Sequence, residues 1–425
     1  MTARITRLKL SVLSLIAVAL FLGVVSGRPE FFLVAVPLLI MLVSAAVETG
    51  SPDYTLAHEV SAERVFEGDR LIVTVTLTAQ TPIRLIELFE PPPATAELAS
   101  GSNRAVFTLG AGQRLRWSYD LLCDGRGRFT LGTVYARVWE RSGLRVIEAR
   151  HVDPKLVHVY PRVVPLRRLP PPRRTQTSVG NYVSPTFGEG QEPGEIRLFA
   201  PGDRIKHVNW RASLRLGKLY VTQYHQERNA DVVLMLDTLG HVGIPPETSL
   251  DLCVRAAASL AWGYLTHKDR VGLIEYGGVV HWVKPGSGRM QFERLLDGLV
   301  AAQIVFTYVA KDLSMVPPRV LPPQALVIAL SPLLDARFIK AVGDLVARGF
   351  QVVLLSISPI DISMGSLELS PLGDLACRLW TLERQAQVAD LRRQGLVVIE
   401  WRPDQPLELA LAPFVRHYRQ RALAG

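Results

Sequence analysis

Cysteine is scarce in this chain: Cys123, Cys253 and Cys377 are the only three thiols in 425 residues. They are odd in number, far apart and match no metal or disulfide spacing. Buried free thiols in a reducing compartment are the plain reading. Catalytic motifs are scarce too. A phosphate loop is excluded, because Gly217-Lys218 is followed by Leu219 and Ala212 stands where the opening glycine would be. Gly286-Ser287-Gly288 lacks the context of a nucleophile elbow, and His-Glu-x-x-His does not occur. The formal net charge of +9 comes without an aromatic-plus-basic nucleic-acid motif. It suits a protein lying near an anionic inner leaflet better than a specific nucleic-acid binder.

Charge itself is missing from two long runs near the N-terminus. Residues 10–26 and 31–47 carry none, and only Gly27, Arg28, Pro29 and Glu30 separate them. A helix rises about 1.5 Å per residue and a hydrocarbon core of roughly 30 Å needs about 20 residues. The pattern predicts a short-spanned transmembrane hairpin over 1–50, broken at Gly27 and Pro29, with Pro37 inside the second helix. Arg4, Arg7 and Lys9 precede the first run, whereas the turn carries Arg28 beside Glu30. The positive-inside bias then places both termini in the cytoplasm, with the chain as a two-span inner-membrane protein. The alternative, a cleaved signal peptide, meets a second apolar run almost at once and no convincing small-x-small site.

Beyond the hairpin the chain reads as multidomain. Over 54–160 the period is two: Leu71, Val73, Val75 and Leu77 alternate with Ile72, Thr74, Thr76 and Thr78. Leu115, Trp117, Tyr119 and Leu121 repeat the pattern, and Phe129, Leu131 and Tyr135 continue it. One face on a core and one toward water, with turn signals between the runs, predicts an antiparallel β-sandwich. Residues 161–187 hold Pro161, Pro165, Pro170, Pro171 and Pro172 among five arginines. They read as a stiff, solvated linker draped over a neighbour or over lipid headgroups. Glu189 and Glu192, set among glycines, read as a loop. From 231 to 425 strands and helices alternate, as in residues 232–236, 325–330, 352–356 and 396–401 and the helical stripe Leu250, Val254, Ala257, Ala258, Ala261 and Leu265. That rhythm predicts a mostly parallel sheet with helices on both faces.

The densest motif lies in the 161–230 segment. Arg197, Phe199, Pro201, Gly202, Asp203, Asn209, Trp210, Ala212, Ser213 and Arg215 follow the signature of the domain-of-unknown-function 58 family of bacterial membrane proteins, which the chain resembles; Leu214 departs from the small residue usual there. Residues 126–132, 142–144 and 159–161 resemble the family's pattern as well. The resemblance implies two membrane spans, a β-domain, the signature and a von Willebrand A-like (Rossmann-like) α/β domain. It also implies a cytosolic protein partner, a MoxR-type AAA+ ATPase, in envelope or complex assembly.

The signature residues have their own chemistry. Pro201-Gly202-Asp203 is turn chemistry. Trp210 offers a large apolar body with one N–H. Arg197, Arg204, Arg211 and Arg215 can fork onto Asp203, Glu195 or an external anion. An internal Arg/Asp clamp, a docking surface and a catalytic centre all remain open. In von Willebrand A domains an Asp-x-Ser-x-Ser loop often holds Mg²⁺, which demands hard oxygen ligands. Here Asp237 is kept, but Leu239 and His241 replace the oxygen donors and Pro332 stands near a further ligand position. The expectation is a degenerate metal site, no cofactor and a non-enzymatic membrane-anchored scaffold. The rivals are a Mg²⁺-dependent adhesion-type module using Asp237, and a hydrolase built on His207, Asp203 and Glu195.

Overall fold

The structure is a computed structural model. It describes residues 2–47, 52–140, 142–172, 176–200, 203, 205–307, 309, 312–364 and 371–413. The chain divides into two compact units, Met1–Val159 and Tyr160–Gly425. The hairpin joins the β-rich unit, and the proline-arginine segment joins the α/β unit.

The first unit begins with strand β1 (Thr2–Ile5) and helices α1 (Arg7–Ser26) and α2 (Glu30–Val47). Gly27 closes α1 in the left-handed region at φ 65°, which makes the tight reversal possible without a Cβ penalty. Gly23 lets the helices approach, since a Cβ there would meet the Phe32 ring at 2.9 Å. Most other side chains of α1 are apolar and exposed, Phe21, Val24 and Val25 among them. α1 is long and apolar enough to cross a membrane, while the described apolar stretch of α2, Glu30–Ala45, is shorter.

Nine further strands follow: β2 (Tyr54–Val60), β3 (Arg64–Phe66), β4 (Arg70–Ala79), β5 (Ile83–Phe89), β6 (Glu97–Ser100), β7 (Arg104–Leu109), β8 (Arg114–Leu122), β9 (Gly127–Trp139) and β10 (Arg145–Tyr160). They form two antiparallel sheets, β1-β10-β9-β5-β7 with β3 beside β10, and β2-β4-β8-β6. The two sheets share one hydrophobic cluster that includes Leu71, Val73, Val75, Leu77, Tyr119 and Leu121. β1 and the start of α1 are tied to this unit, with β1 paired to β10 and the Thr6 hydroxyl donating to the Gly143 carbonyl at 3.1 Å. Two details depart from strict alternation. Thr74 and Thr76, on the expected water face, are buried. Tyr135 is 43% exposed, whereas Leu131 before it is buried. The ladder slips opposite this point, between Val152 and Lys155, and Gly132 sits at φ 95°. One extra residue reverses which side chains face in, so Val134, Ala136 and Val138 take the core.

In the second unit β11 (Gln176–Leu198) pairs antiparallel with β12 (Tyr220–Asn229), and α3 (Trp210–Leu216) lies between them in sequence. The expected linker and the loop at Glu189 and Glu192 are thus a two-stranded ribbon from residue 176 on. Its register slips four times, which is how the ladder accommodates a Pro- and Gly-rich strand. The main sheet comprises β13 (Asp231–Thr238), β14 (Arg270–Gly277), β15 (His281–Gly286), β16 (Leu326–Ser331), β17 (Gln351–Ile357) and β18 (Val397–Trp401). Its order is β15-β14-β13-β16-β17-β18, parallel except for β15. Helices α4 (Ser249–Thr266), α5 (Arg289–Ala301), α6 (Ala336–Ala347), α7 (Pro359–Met364) and α8 (Pro371–Arg393) complete the unit. Side chains of α4 and α5 fill one face's core and those of α6 and α8 the other's, as the alternation predicts.

Residues 160–171 strap along α4. Leu166 is in its core cluster, the Val164 N–H donates to Ser259 Oγ at 3.0 Å, and the Tyr264 hydroxyl donates to the Pro170 carbonyl at 2.5 Å. Over this stretch the support is a helix of the same unit.

Candidate functional site

Two clusters in the second unit concentrate the chemistry. The first is at the carboxyl ends of the central strands. β13 connects through α4 to β14 on one side, and β16 pairs on its other side. This reversal is where open α/β sheets usually bind ligands. Asp237, near the end of β13, is 1% exposed. Its Oδ1 accepts from the Leu239 N–H at 3.0 Å, and its Oδ2 accepts from Ser331 Oγ at 2.5 Å. Burial pushes its carboxyl up to about 7, against the lowering effect of those two donors. Ser331 Oγ also accepts from the Leu333 N–H at 2.8 Å. Asp335 caps α6 and takes a fork from Arg337, whose guanidinium holds that carboxyl below the usual range. Arg337 Nη1 reaches on to the Thr307 carbonyl at 2.6 Å.

Behind them lies a residue that the sequence reading missed. Arg384 of α8 is 8% exposed. Its Nη1 donates to the Pro332 carbonyl at 2.7 Å; its Nη2 donates to Ser356 Oγ at 2.6 Å and to the Ile357 carbonyl at 2.9 Å. Its acceptors lie at and just beyond the ends of β16 and β17, and burial lowers its pKa. The signal was available: Arg384, Val388 and Leu391 fall at i, i+4 and i+7, so the arginine shares the helix's buried stripe.

The surroundings of Asp237 do not fit a Mg²⁺ cage. Both carboxylate oxygens are engaged by the chain itself, Leu239 contributes an N–H where the octahedral site needs an oxygen, and His241 is exposed. Among the described residues no group of three or more His, Cys, Asp or Glu side chains is poised around a common point.

The second cluster is the signature. Arg197 near the end of β11 forks onto Asp203, Nη2 to Oδ1 at 2.6 Å and Nη1 to Oδ2 at 2.7 Å. The Ala200 N–H donates to the same Oδ2 at 2.7 Å. Arg197 first, then this N–H, hold the Asp203 carboxyl below its ordinary value. The pair spans six residues, so it closes the signature's own turn. Pro201, Gly202 and Arg204 lie outside the described residues, as does the side chain of Glu195. Asp203, one of the two carboxylates in the hydrolase arrangement with His207, is committed to Arg197.

Phe199 is half-buried and its N–H donates to the Leu219 carbonyl at 2.9 Å. Asn209 caps α3: its Oδ1 accepts from the Ala212 N–H at 3.0 Å, and its Nδ2 donates to Thr222 Oγ1 at 3.1 Å. Ser213 is buried, with its Oγ donating to the Asn209 carbonyl and accepting from the Tyr220 N–H, both at 2.8 Å. These bonds fasten α3 to β12. Trp210 and Leu214, in contrast, are 60% and 84% exposed, and Arg211 and Arg215 are exposed beside them.

Residues 195–372 match the family model described as "Protein of unknown function DUF58". That span holds the signature from Glu195, Asp237, Ser331 and Arg337, and ends short of Arg384. Uncharacterized proteins of Mycobacterium tuberculosis and Mycobacterium bovis are each 29% identical over 120 residues, 28% of this chain and 38% of theirs. The uncharacterized protein YeaD of Bacillus subtilis is 22% identical over 255 residues, 59% of this chain and 62% of its own. The matched regions therefore span less than two thirds of these relatives' length. Among solved structures, the cupredoxin domain of amoB from Nitrosocaldus yellowstonii aligns with 26% of this chain and 90% of its own at 16% identity and a TM-score of 0.19. That score is too low to carry a fold assignment.

Proposed function

The chain is a DUF58 protein by its 195–372 region, and from that premise we propose that it is a non-enzymatic scaffold anchored in the bacterial inner membrane. In this reading α1 and α2 both cross the bilayer, and both termini are cytoplasmic. The β-rich unit is a sandwich, and the second unit is a von Willebrand A-like domain with a degenerate metal site. Its partner is a cytosolic protein of the MoxR-type AAA+ ATPase class, serving envelope or complex assembly.

One observation supports the scaffold reading above the others. At the strand ends where an α/β sheet usually works, the buried charges are spent on the protein's own groups: Asp237 on Ser331 and Leu239, Arg384 on Pro332, Ser356 and Ile357. Such a rim suits contact with another protein better than turnover of a small molecule. Affinity capture of the full chain from gently solubilised membranes, with ATP, ADP or no nucleotide, tests the partner. An AAA+ ATPase recovered in at least one state is the expected result; none in any state overturns this part of the reading. Titration calorimetry of the chain with millimolar Mg²⁺ tests the rival, and heat that disappears in Asp237→Ala would revive the metal-dependent module.

A further inference from the structure

α3 and the segments flanking it carry an exposed surface of two chemistries. Ile205, Trp210, Leu214 and Leu198 are all more than half exposed. Lys206, Arg211, Arg215 and Lys218 are exposed with them. Between residues 204 and 226 the sequence contains no Asp or Glu. Among the described residues none of these four cations has a carboxylate partner, and the one nearby acid, Asp203, is taken by Arg197.

The helix geometry sorts the two chemistries side by side. At about 100° per residue, Trp210 and Leu214 share one sector, beside that of the buried Ser213, and Arg211 and Arg215 the next, nearly opposite Ser213; all four are exposed. The polar bonds of Asn209 and Ser213 fix that orientation against β12. Exposed Trp and Leu beside cations, with no anion, is the pattern of a segment resting at a membrane interface. Indole favours that boundary because its body is apolar and its N–H is wet. A bilayer accepts a protruding helix with long apolar and cationic side chains without any matching contour, and its anionic headgroups complement the four cations.

We propose that the Trp210–Arg215 face of the signature docks on an anionic lipid surface. The proposal goes beyond the scaffold reading and is tested separately from it. All seven tryptophans of the chain lie outside residues 10–47, so tryptophan emission is blind to the hairpin. The full chain is reconstituted into vesicles of bromine-labelled phosphatidylcholine, with or without phosphatidylglycerol. With phosphatidylglycerol present, bromolipid quenches part of the emission, and Trp210→Phe lowers the quenched part at least twofold. The paired substitution Arg211→Glu, Arg215→Glu lowers it similarly, as does salt near 0.5 M, which shortens screening to a few ångströms. Equal quenching in wild type and Trp210→Phe overturns the proposal, as does no quenching at all, the result expected if an acidic protein were the occupant. Equal quenching without phosphatidylglycerol overturns the anionic part. Flotation of the chain with pure phosphatidylcholine vesicles reports the hairpin anchor independently, so loss of one result leaves the other readable.

Discussion

The strand-end cluster and the signature put the same residue types to opposite uses. At the strand ends an aspartate and an arginine are buried and every bond they make is internal. On the signature helix, arginines and a tryptophan are held out in water while small polar residues do the fastening. A charge that answers to its own backbone is part of the architecture. A charge with an apolar neighbour and no internal partner is available to something outside the chain.

Substitutions can break that contrast, beginning with the most damaging. Arg384→Met leaves the Pro332 and Ile357 carbonyls and Ser356 without their donor. A loss of about 3–5 kcal/mol is expected from stranding buried acceptors, read as a lowered urea midpoint of the full chain. An unchanged midpoint would mean that Arg384 is not structural.

Asp237→Asn comes next and shows itself through pH. The folded carboxyl titrates near 7, above its unfolded value. Its contribution is therefore complete below about pH 4 and fades as pH rises to 7. Stability of the wild type should fall across that window by about a few kcal/mol, and in the variant the slope should flatten. A parallel pH profile in both proteins would show that Asp237 is not the titrating group.

Asn209→Ala removes the α3 cap and should cost about 1 kcal/mol, visible as faster amide exchange in α3 and at Thr222. At the far end, Trp210→Ser should alter the midpoint by less than about 0.5 kcal/mol. A large loss there would place Trp210 among the structural residues and erase the contrast.

Much of the second unit was legible beforehand. Its strands are short apolar runs bounded by turn residues, and its helices carry a clear stripe, so period and length identify them. Asp237 at a strand end was legible for the same reason. Three features were not. The β11–β12 ribbon depends on pairing partners distant in sequence and survives proline and glycine only by slipping register. Tyr135 was assigned to the core because period-two counting cannot see the bulge opposite Gly132. Trp210 reads in the sequence as a large apolar body with one N–H, and only the structure, with Ser213 packed on β12, shows that its side chain is exposed.

Arg384 also has a bearing on alignment. Val388 and Leu391 would find apolar surface if α8 slid by one turn, about 5.4 Å. The guanidinium finds its three acceptors in a single placement, and after such a slide it would be desolvated with nothing to donate to. A greasy stripe tolerates sliding; this one fork makes the helix a key with one cut, and lysine, lacking the planar fork, could not replace it.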